Sequence, residues 1–379
     1  MIISIKDGFK FFGIIVVACC AVCVCTFFLN FYIDAQSIES SITDETTMAL
    51  YDAQMATAKF TCAISGGFLG LIAVVMLVFY LKLYIDNNLN KIGVLKAMGY
   101  SDFSIALRFS VFGLSVLAGT VLGFGLGFAI MPTVYEGMTI AGLPEIAIKF
   151  HPSLLFALVV APAVVFALLA SGYAMIALKI PVSEMLRGKS EKVKKVKAKK
   201  DKERSFLKEI CVKTLTDKKS LAFFVAFACF CFSAMVQMAA SMYELSTETM
   251  GEIIFVMGVV LAVTTIFMAV TSLVRGNVKN IAMMKTFGYS LKECALTVLG
   301  GYHIFALIGF AVGTVYQYAL LSLMVNIVYK NVASVPDYNF NVPVFFITLA
   351  AFIVFYEAVM LFYTIKINKI SVKEVMAEN

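Results

Sequence analysis

The sequence predicts an all-α integral membrane protein, with eight transmembrane helices as two parallel four-helix repeats and cytoplasmic coupling helices. Three observations predict it: an apolar composition, eight runs long enough to cross a bilayer, and a motif that recurs at a fixed offset. Of the 379 residues, 61% are hydrophobic and only 15% are charged. The mean hydropathy is +0.91. A soluble domain carries roughly a quarter charged residues, so an ordinary soluble enzyme is excluded. Disorder is excluded too, because 34 Phe and 16 Tyr present far more apolar surface than water solvates.

A span needs about 20 mostly apolar residues. Runs of that kind cover 11–33, 60–84, 104–130, 153–178, 219–242, 252–274, 292–326 and 342–365. Each must be helical, since lipid supplies no partner for open backbone groups. The seventh run is long enough to tilt, kink or extend beyond the bilayer.

Orientation follows from the basic residues. With a cytoplasmic N-terminus, 28 of the 31 Lys and Arg fall inside, leaving Lys59, Lys149 and Lys330 outside. The first outer segment is acidic instead, with Asp34, Glu39, Asp44, Glu45 and Asp52. This asymmetry places both termini in the cytoplasm. Much of the basic excess lies in Arg187 to Arg204, which reads RGKSEKVKKVKAKKDKER. Such a run either binds anionic headgroups or is a solvated linker that enforces topology. No groove-reading or stacking pattern accompanies it, so no nucleic-acid partner is expected.

Cys19, Cys20, Cys23 and Cys25 crowd the first span, and Cys229 and Cys231 lie in the fifth. Cys19 and Cys23 share a helical face, as soft-metal ligands would. No His or carboxylate joins them, so they read as packing residues, and no metal site is expected. Val16-Val17-Ala18-Cys19 looks like a lipoprotein cleavage box, yet the apolar run continues to Ile33, which reads as a membrane helix.

The repeat is the most informative feature. Asn90-Lys91-Ile92-Gly93-Val94-Leu95-Lys96-Ala97-Met98-Gly99-Tyr100-Ser101 follows the second span, and Lys279-Asn280-Ile281-Ala282-Met283-Met284-Lys285-Thr286-Phe287-Gly288-Tyr289-Ser290 follows the sixth. Ile, Lys, Gly, Tyr and Ser recur in register. Lys179-Ile180-Pro181-Val182-Ser183-Glu184-Met185 follows the fourth span, and Lys369-Ile370-Ser371-Val372-Lys373-Glu374-Val375 follows the eighth. Four spans per copy is an even number, so the copies lie parallel and not inverted. The boundaries are 1–186 for the first repeat, 187–205 for the basic linker and 206–379 for the second repeat.

On these residues the chain resembles the FtsX/MacB-type permeases of ABC transporters. That family carries approximately E-I-G-[IVL]-[LM]-[RK]-A-[LM]-G-[AY]-S after its second helix, on a cytoplasmic helix that touches the ATPase. Ile92 to Ser101 fits this pattern well, Ile281 to Ser290 more loosely, and Pro181 to Arg187 resembles the P-x-E-x-L-R ending of the fourth helix. The acid before Ile-Gly is Lys91 in one copy and Asn280 in the other. The large extracellular domain common after the first helix is replaced by the short segment 34–58, with 243–251 in the second repeat.

The resemblance implies ATPase coupling through Ile92, Leu95, Lys96, Met98, Gly99 and Tyr100, and through Ile281, Met284, Lys285, Phe287, Gly288 and Tyr289. The residues themselves describe two short amphipathic helices. Each ends at a glycine suited to the left-handed cap, with a lysine in the last turn. A surface helix that merely joins two spans is the alternative. Gly119, Gly123 and Gly127 on span three, and Gly309 and Gly313 on span seven, have the spacing of close helix packing, within the chain or between subunits.

No catalytic constellation and no Walker A loop occur, so the chain itself is expected to be no enzyme and to bind no cofactor. Its two histidines, His151 and His303, have no evident partner in the sequence. Glu357 is an acid inside a span, which is costly. It would handle substrate or a proton, or hydrogen-bond across the bundle. Gln237 poses a weaker form of the same question.

These readings give a permease subunit in a bacterial cell membrane that exports or extracts a hydrophobic molecule or peptide. A separate cytoplasmic ABC ATPase, as a dimer, would hold ATP and Mg. Membrane lipid, a second permease chain and an extracellular protein are further expected partners. The alternative is mechanotransmission to an extracellular enzyme or sensor without transport.

Overall fold

The computed structural model describes residues 8–42, 45–138, 146–186, 206–217, 219–245, 248–328 and 340–368. The basic segment at 187–204 and the second-copy ending at Lys369–Val375 lie outside them. Most of the described residues are helical, and no strand occurs among them.

Eight helices are long and apolar enough to cross a membrane, and the protein is a multi-pass membrane protein. The helices run in order as α1 (Gly8–Ala35), α2 (Glu45–Asn87), α3 (Leu89–Ala97), α4 (Asp102–Leu107), α5 (Val111–Met138), α6 (Pro152–Leu155) and α7 (Ala161–Ala177). They continue as α8 (Val182–Leu186), α9 (Phe206–Asp217), α10 (Lys219–Leu245), α11 (Glu248–Thr286), α12 (Leu291–Leu299), α13 (His303–Val328) and α14 (Val342–Asn368). The spans are carried by α1, α2, α4–α5, α6–α7, α10, α11, α12–α13 and α14.

The third and seventh spans contain short interruptions. Arg108–Ser110 and Gly300–Tyr302 are single 3₁₀ turns that join α4 to α5 and α12 to α13. In the fourth span a π turn at Phe156–Val160 joins α6 to α7 just before Pro162. Proline has no N–H to return to the turn before it, so the backbone ladder locally widens there.

At 43 residues α2 exceeds its membrane-crossing part, which is Gly66–Asp86. The preceding twenty-odd helical residues add about 30 Å at 1.5 Å per residue. The helix therefore continues as a rod well past the apolar stretch.

The chain forms two compact units. One holds α1–α8 together with Ser241–Met257 and Ala319–Phe340. In it α1 packs on α2 and α5, and α7 packs on α5 and α2. Its main core joins Phe27, Phe28 and Phe31 of α1 to Tyr51 and Met55 of α2 and Met131 and Val134 of α5. The other unit holds α9 and the remaining parts of α10–α14. There Phe352 of α14 packs its ring 5.6 Å from Phe232 of α10 and 4.9 Å from Phe310 of α13. Tyr363 of α14 hydrogen-bonds Thr271 of α11 and lies 5.6 Å from the Phe267 ring.

Candidate functional site

The two Gly-Tyr-Ser segments are built alike. Gly99 has φ +92° and Gly288 has φ +82°, the left-handed region in which a side chain is strained. In the first, the Gly99 N–H donates to Lys96 O at 3.1 Å and the Tyr100 N–H to Leu95 O at 3.2 Å. In the second, Gly288 N–H donates to Lys285 O at 3.0 Å and Tyr289 N–H to Met284 O at 3.2 Å. This pair of bonds is a Schellman ending, which closes the last carbonyls of the helix. The next residue, Ser101 or Ser290, caps the following helix with its hydroxyl, accepting from Ser104 N and Glu293 N respectively. Glu293 returns the contact to Ser290 N at 2.9 Å and completes a capping box. Glycine, tyrosine and serine thus each have a local task in a tight helix–turn–helix.

The sequence-predicted coupling residues divide by burial. Ile92 and Ile281 are fully buried and Met284 is nearly so, while Leu95 is half-buried. They hold each segment against its own unit. The tips are open: Met98 is 62% exposed and Phe287 70%. Val94, Tyr100, Phe103 and Leu107 extend the first tip, and Met283 the second. An unbranched thioether and a phenyl ring, both in the open, offer adaptable apolar contact.

Lys96 does more than sit near a helix end. Its ammonium donates to Leu178 O at 2.8 Å and Ile180 O at 3.2 Å, and it pairs with Asp102 at 2.8 Å. It therefore ties α3 to the carboxyl end of α7, where free carbonyls concentrate partial negative charge. Gly93 lets α3 close on α8: a Cβ there would stand 2.9 Å from Met185 Cβ, and Met185 is fully buried. The Ile-Gly pair and the Pro-x-x-Glu-Met-Leu run are thus two sides of one contact. Lys285 is half-buried at the matching place of the second segment.

One difference separates the segments. Asn88 interrupts the helix, with φ −117° and ψ 18°, so α3 starts as a new helix. Its side chain donates back to Tyr84 O at 2.9 Å. In the second half Asn277 makes the same backward bond, to Leu273 O at 2.9 Å, yet α11 runs on unbroken to Thr286. The second coupling segment is therefore the end of the sixth span and not a separate short helix. Burial accounts for its continuity: Asn277 is fully enclosed, where an interrupted backbone would leave its polar groups unpaired.

The glycines of α5 and α13 lie against neighbouring helices of their own unit. A Cβ on Gly119 would stand 2.9 Å from Ala18 Cβ, on Gly123 2.9 Å from the Cys19 carbonyl carbon, and on Gly127 2.9 Å from Thr26 Cβ. On α13, Gly309 faces the Ala226 backbone and Gly313 stands 2.9 Å from Ser233 Cβ in the same sense. These seams are α1–α5 and α10–α13. Cys23 and Cys25 are buried on α1, Cys25 against Gly66 of α2, and Cys229 and Cys231 are buried on α10. Among the described residues no group of three His, Cys, Asp or Glu could hold a metal ion.

Gln237 donates to Ser233 at 2.9 Å and to Thr314 at 2.8 Å, and Ser233 and Thr314 are 3.0 Å apart. All three are buried, a neutral hydrogen-bonded knot in the α10–α13 seam. The corresponding region of the α1–α5 seam holds a group that the sequence reading missed. Asp34, 2% exposed, accepts from Asn30 at 2.8 Å, Tyr135 at 2.7 Å and the Lys149 backbone N–H at 3.2 Å, and meets His151 Nε2 at 2.8 Å. It ties α1, α5 and the segment entering α6 together. Asn30 within an apolar run, one turn before an acid, was the available signal.

Glu357 also has a partner, His303 Nε2 at 2.8 Å. The pair lies between α14 and α13, with side chains 49% and 40% exposed.

Comparison with known proteins adds the family. Residues 252–372 match the model described as FtsX-like permease C-terminal. No curated protein and no solved structure matches the chain. The match spans α11–α14 and so includes the Gly288 turn, the Gly309–Gly313 seam and Glu357. By this match, residues 252–372 belong to the FtsX-like permease family.

Proposed function

We propose that this chain is the permease subunit of an ABC transporter, driven by a separate cytoplasmic ATPase dimer that docks on the tips at Met98 and Phe287. The observation that carries the reading is the duplicated turn. Two helix endings of the same hydrogen-bond pattern each leave large apolar side chains open, Met98 and Phe287 foremost among those just before the glycine. The fixed base and open tip suit transmission of force from a partner that closes on ATP.

A parallel duplication of four spans supports this reading. Within their most apolar stretches the first and fifth spans are each 67% buried, while the fourth and eighth are 22% and 28% buried. The order of burial is the same in both halves. With the positive-inside asymmetry, both turns and both termini are cytoplasmic, in a bacterial cell membrane. ATP and Mg belong to the partner, since this sequence carries no Walker A loop. The cargo is a hydrophobic molecule or peptide exported or extracted from the membrane. A second reading, mechanotransmission to an extracellular enzyme or sensor, draws on α2, whose rod continues about 30 Å past its apolar stretch.

The test is copurification. Met98→Asp with Phe287→Asp should leave the chain in the membrane and abolish recovery of the ATPase, because both side chains are open and neither supports the core. Undiminished recovery from the double variant would overturn the assignment.

A further inference from the structure

The seam between α13 and α14 holds the ionisable pair that the permease reading leaves unused. The surrounding surface is apolar: Ile304 is 65% exposed, Val354 70% and Leu361 62%. In a bilayer these residues face hydrocarbon. Glu357 lies about 12 Å along α14 from Ile365, the end of the apolar stretch, and is therefore below the membrane surface. Ionisable residues at that depth normally face protein or water. These two are half exposed instead.

The hydrogen bonds fix the proton count. His303 Nδ1 is 3.1 Å from Gly300 O, a carbonyl that can only accept, so Nδ1 carries a proton. Nε2 faces Glu357 Oε1 at 2.8 Å, so one more proton lies between the imidazole and the carboxyl. The pair then has no net charge, which makes it tolerable in lipid. Among the described residues no donor reaches Glu357 Oε2. Tyr356 packs its ring 5.3 Å from His303 at 84°, with its hydroxyl buried. The carboxyl thus presents one open acceptor to the membrane, fixed by a histidine that is itself held by the 3₁₀ turn before α13.

We propose that the His303–Glu357 seam is a lateral binding site for an amphiphile with a protonated primary amine. The ammonium donates to Glu357 Oε2, the proton between Glu357 Oε1 and His303 Nε2 stays in place, and the occupied site carries the single positive charge of the ligand. The alkyl chain lies along Ile304, Val354 and Leu361. This deepens the permease reading by naming a cargo class, an amine-headed amphiphile entering sideways from the bilayer. Binding is measured without the ATPase, so its failure is distinct from failure of coupling.

The chain contains no Trp, so Val354→Trp creates a single reporter three residues before Glu357. The full-length variant in phosphatidylcholine nanodiscs is titrated with doxyl-labelled octadecylamine and, separately, with doxyl-labelled octadecanol. The amine should quench at roughly tenfold lower mole fraction, the gain expected from a hydrogen bond to a charged group. Glu357→Gln in the same background should reduce the amine to the level of the alcohol, and unchanged quenching by the alcohol shows that the fold survives. Glu357→Asp should recover part of the preference. Equal quenching by the two probes in the parent, or an amine preference that survives Glu357→Gln, overturns the site. Protection from both probes, with Val354→Cys cross-linking to another chain, overturns it as well, because protein then covers the seam.

Discussion

The two inter-helix seams, α1–α5 and α10–α13, share a backbone arrangement and differ in their polar chemistry. In each, glycines of the second helix rest on the backbone of the first, at Gly119 and Gly123 against Ile15 and Cys19, and at Gly309 and Gly313 against Ala226 and Phe230. Beyond those crossings the first seam closes on a buried carboxylate with four partners, and the second on a neutral Gln-Ser-Thr knot. Close approach is a geometric demand and admits few residues. Polar closure has many solutions, and the two seams use different ones. A carboxylate with four partners on three chain segments is a strong and brittle tie, whereas a neutral knot yields a little at a time.

The largest expected effect separates the seams directly. Asp34→Ala removes the shared acceptor of the Tyr135 hydroxyl, the His151 ring and the Lys149 N–H and leaves the Asn30 amide only its bonds to Tyr135 and Met131, at a cost of roughly 3–5 kcal/mol. Gln237→Leu leaves two small hydroxyls that can bond each other, at about 1 kcal/mol. Thermal unfolding in detergent reads both. Equal losses would erase the distinction between a charged tie and a neutral one.

The turns predict a smaller and equal effect. Gly99→Ala and Gly288→Ala each force a side chain into the left-handed region, at about 1–2 kcal/mol. Neither glycine has an atom within 4 Å of where its Cβ would stand, so the strain is the whole cost. Both variants should lose the same stability. A loss at one turn alone would mean that the two endings are not equivalent in solution.

Much of this was legible in the sequence, for physical reasons. Eight apolar runs can only be spans, and a glycine that recurs with tyrosine and serine behind it can only end a helix, so the spans and both turns followed from local chemistry. Tertiary partners were less legible. Asp34 read as one more acid of an outer segment, because nothing local shows that Tyr135 and His151 come back to it from more than 100 residues away. Glu357 was visible as an anomaly, while His303 was not its evident partner at a separation of 54 residues. The family resemblance implied coupling through Ile92, Leu95 and Met98 alike, and their helical spacing put them on one face. Spacing cannot tell which side of so short a helix meets its own unit, and there Ile92 is buried while Met98 is open.

The central claim is that both turns meet one partner, and cysteine cross-linking tests it most directly. Met98→Cys and Phe287→Cys, each in a background without the nine native cysteines, are treated in membranes with a short bifunctional maleimide in the presence of an ATPase dimer carrying single surface cysteines. The account predicts that each position captures one ATPase subunit, and that the chain carrying both captures two. Capture from neither position, or from one alone whatever ATPase site is used, would contradict it.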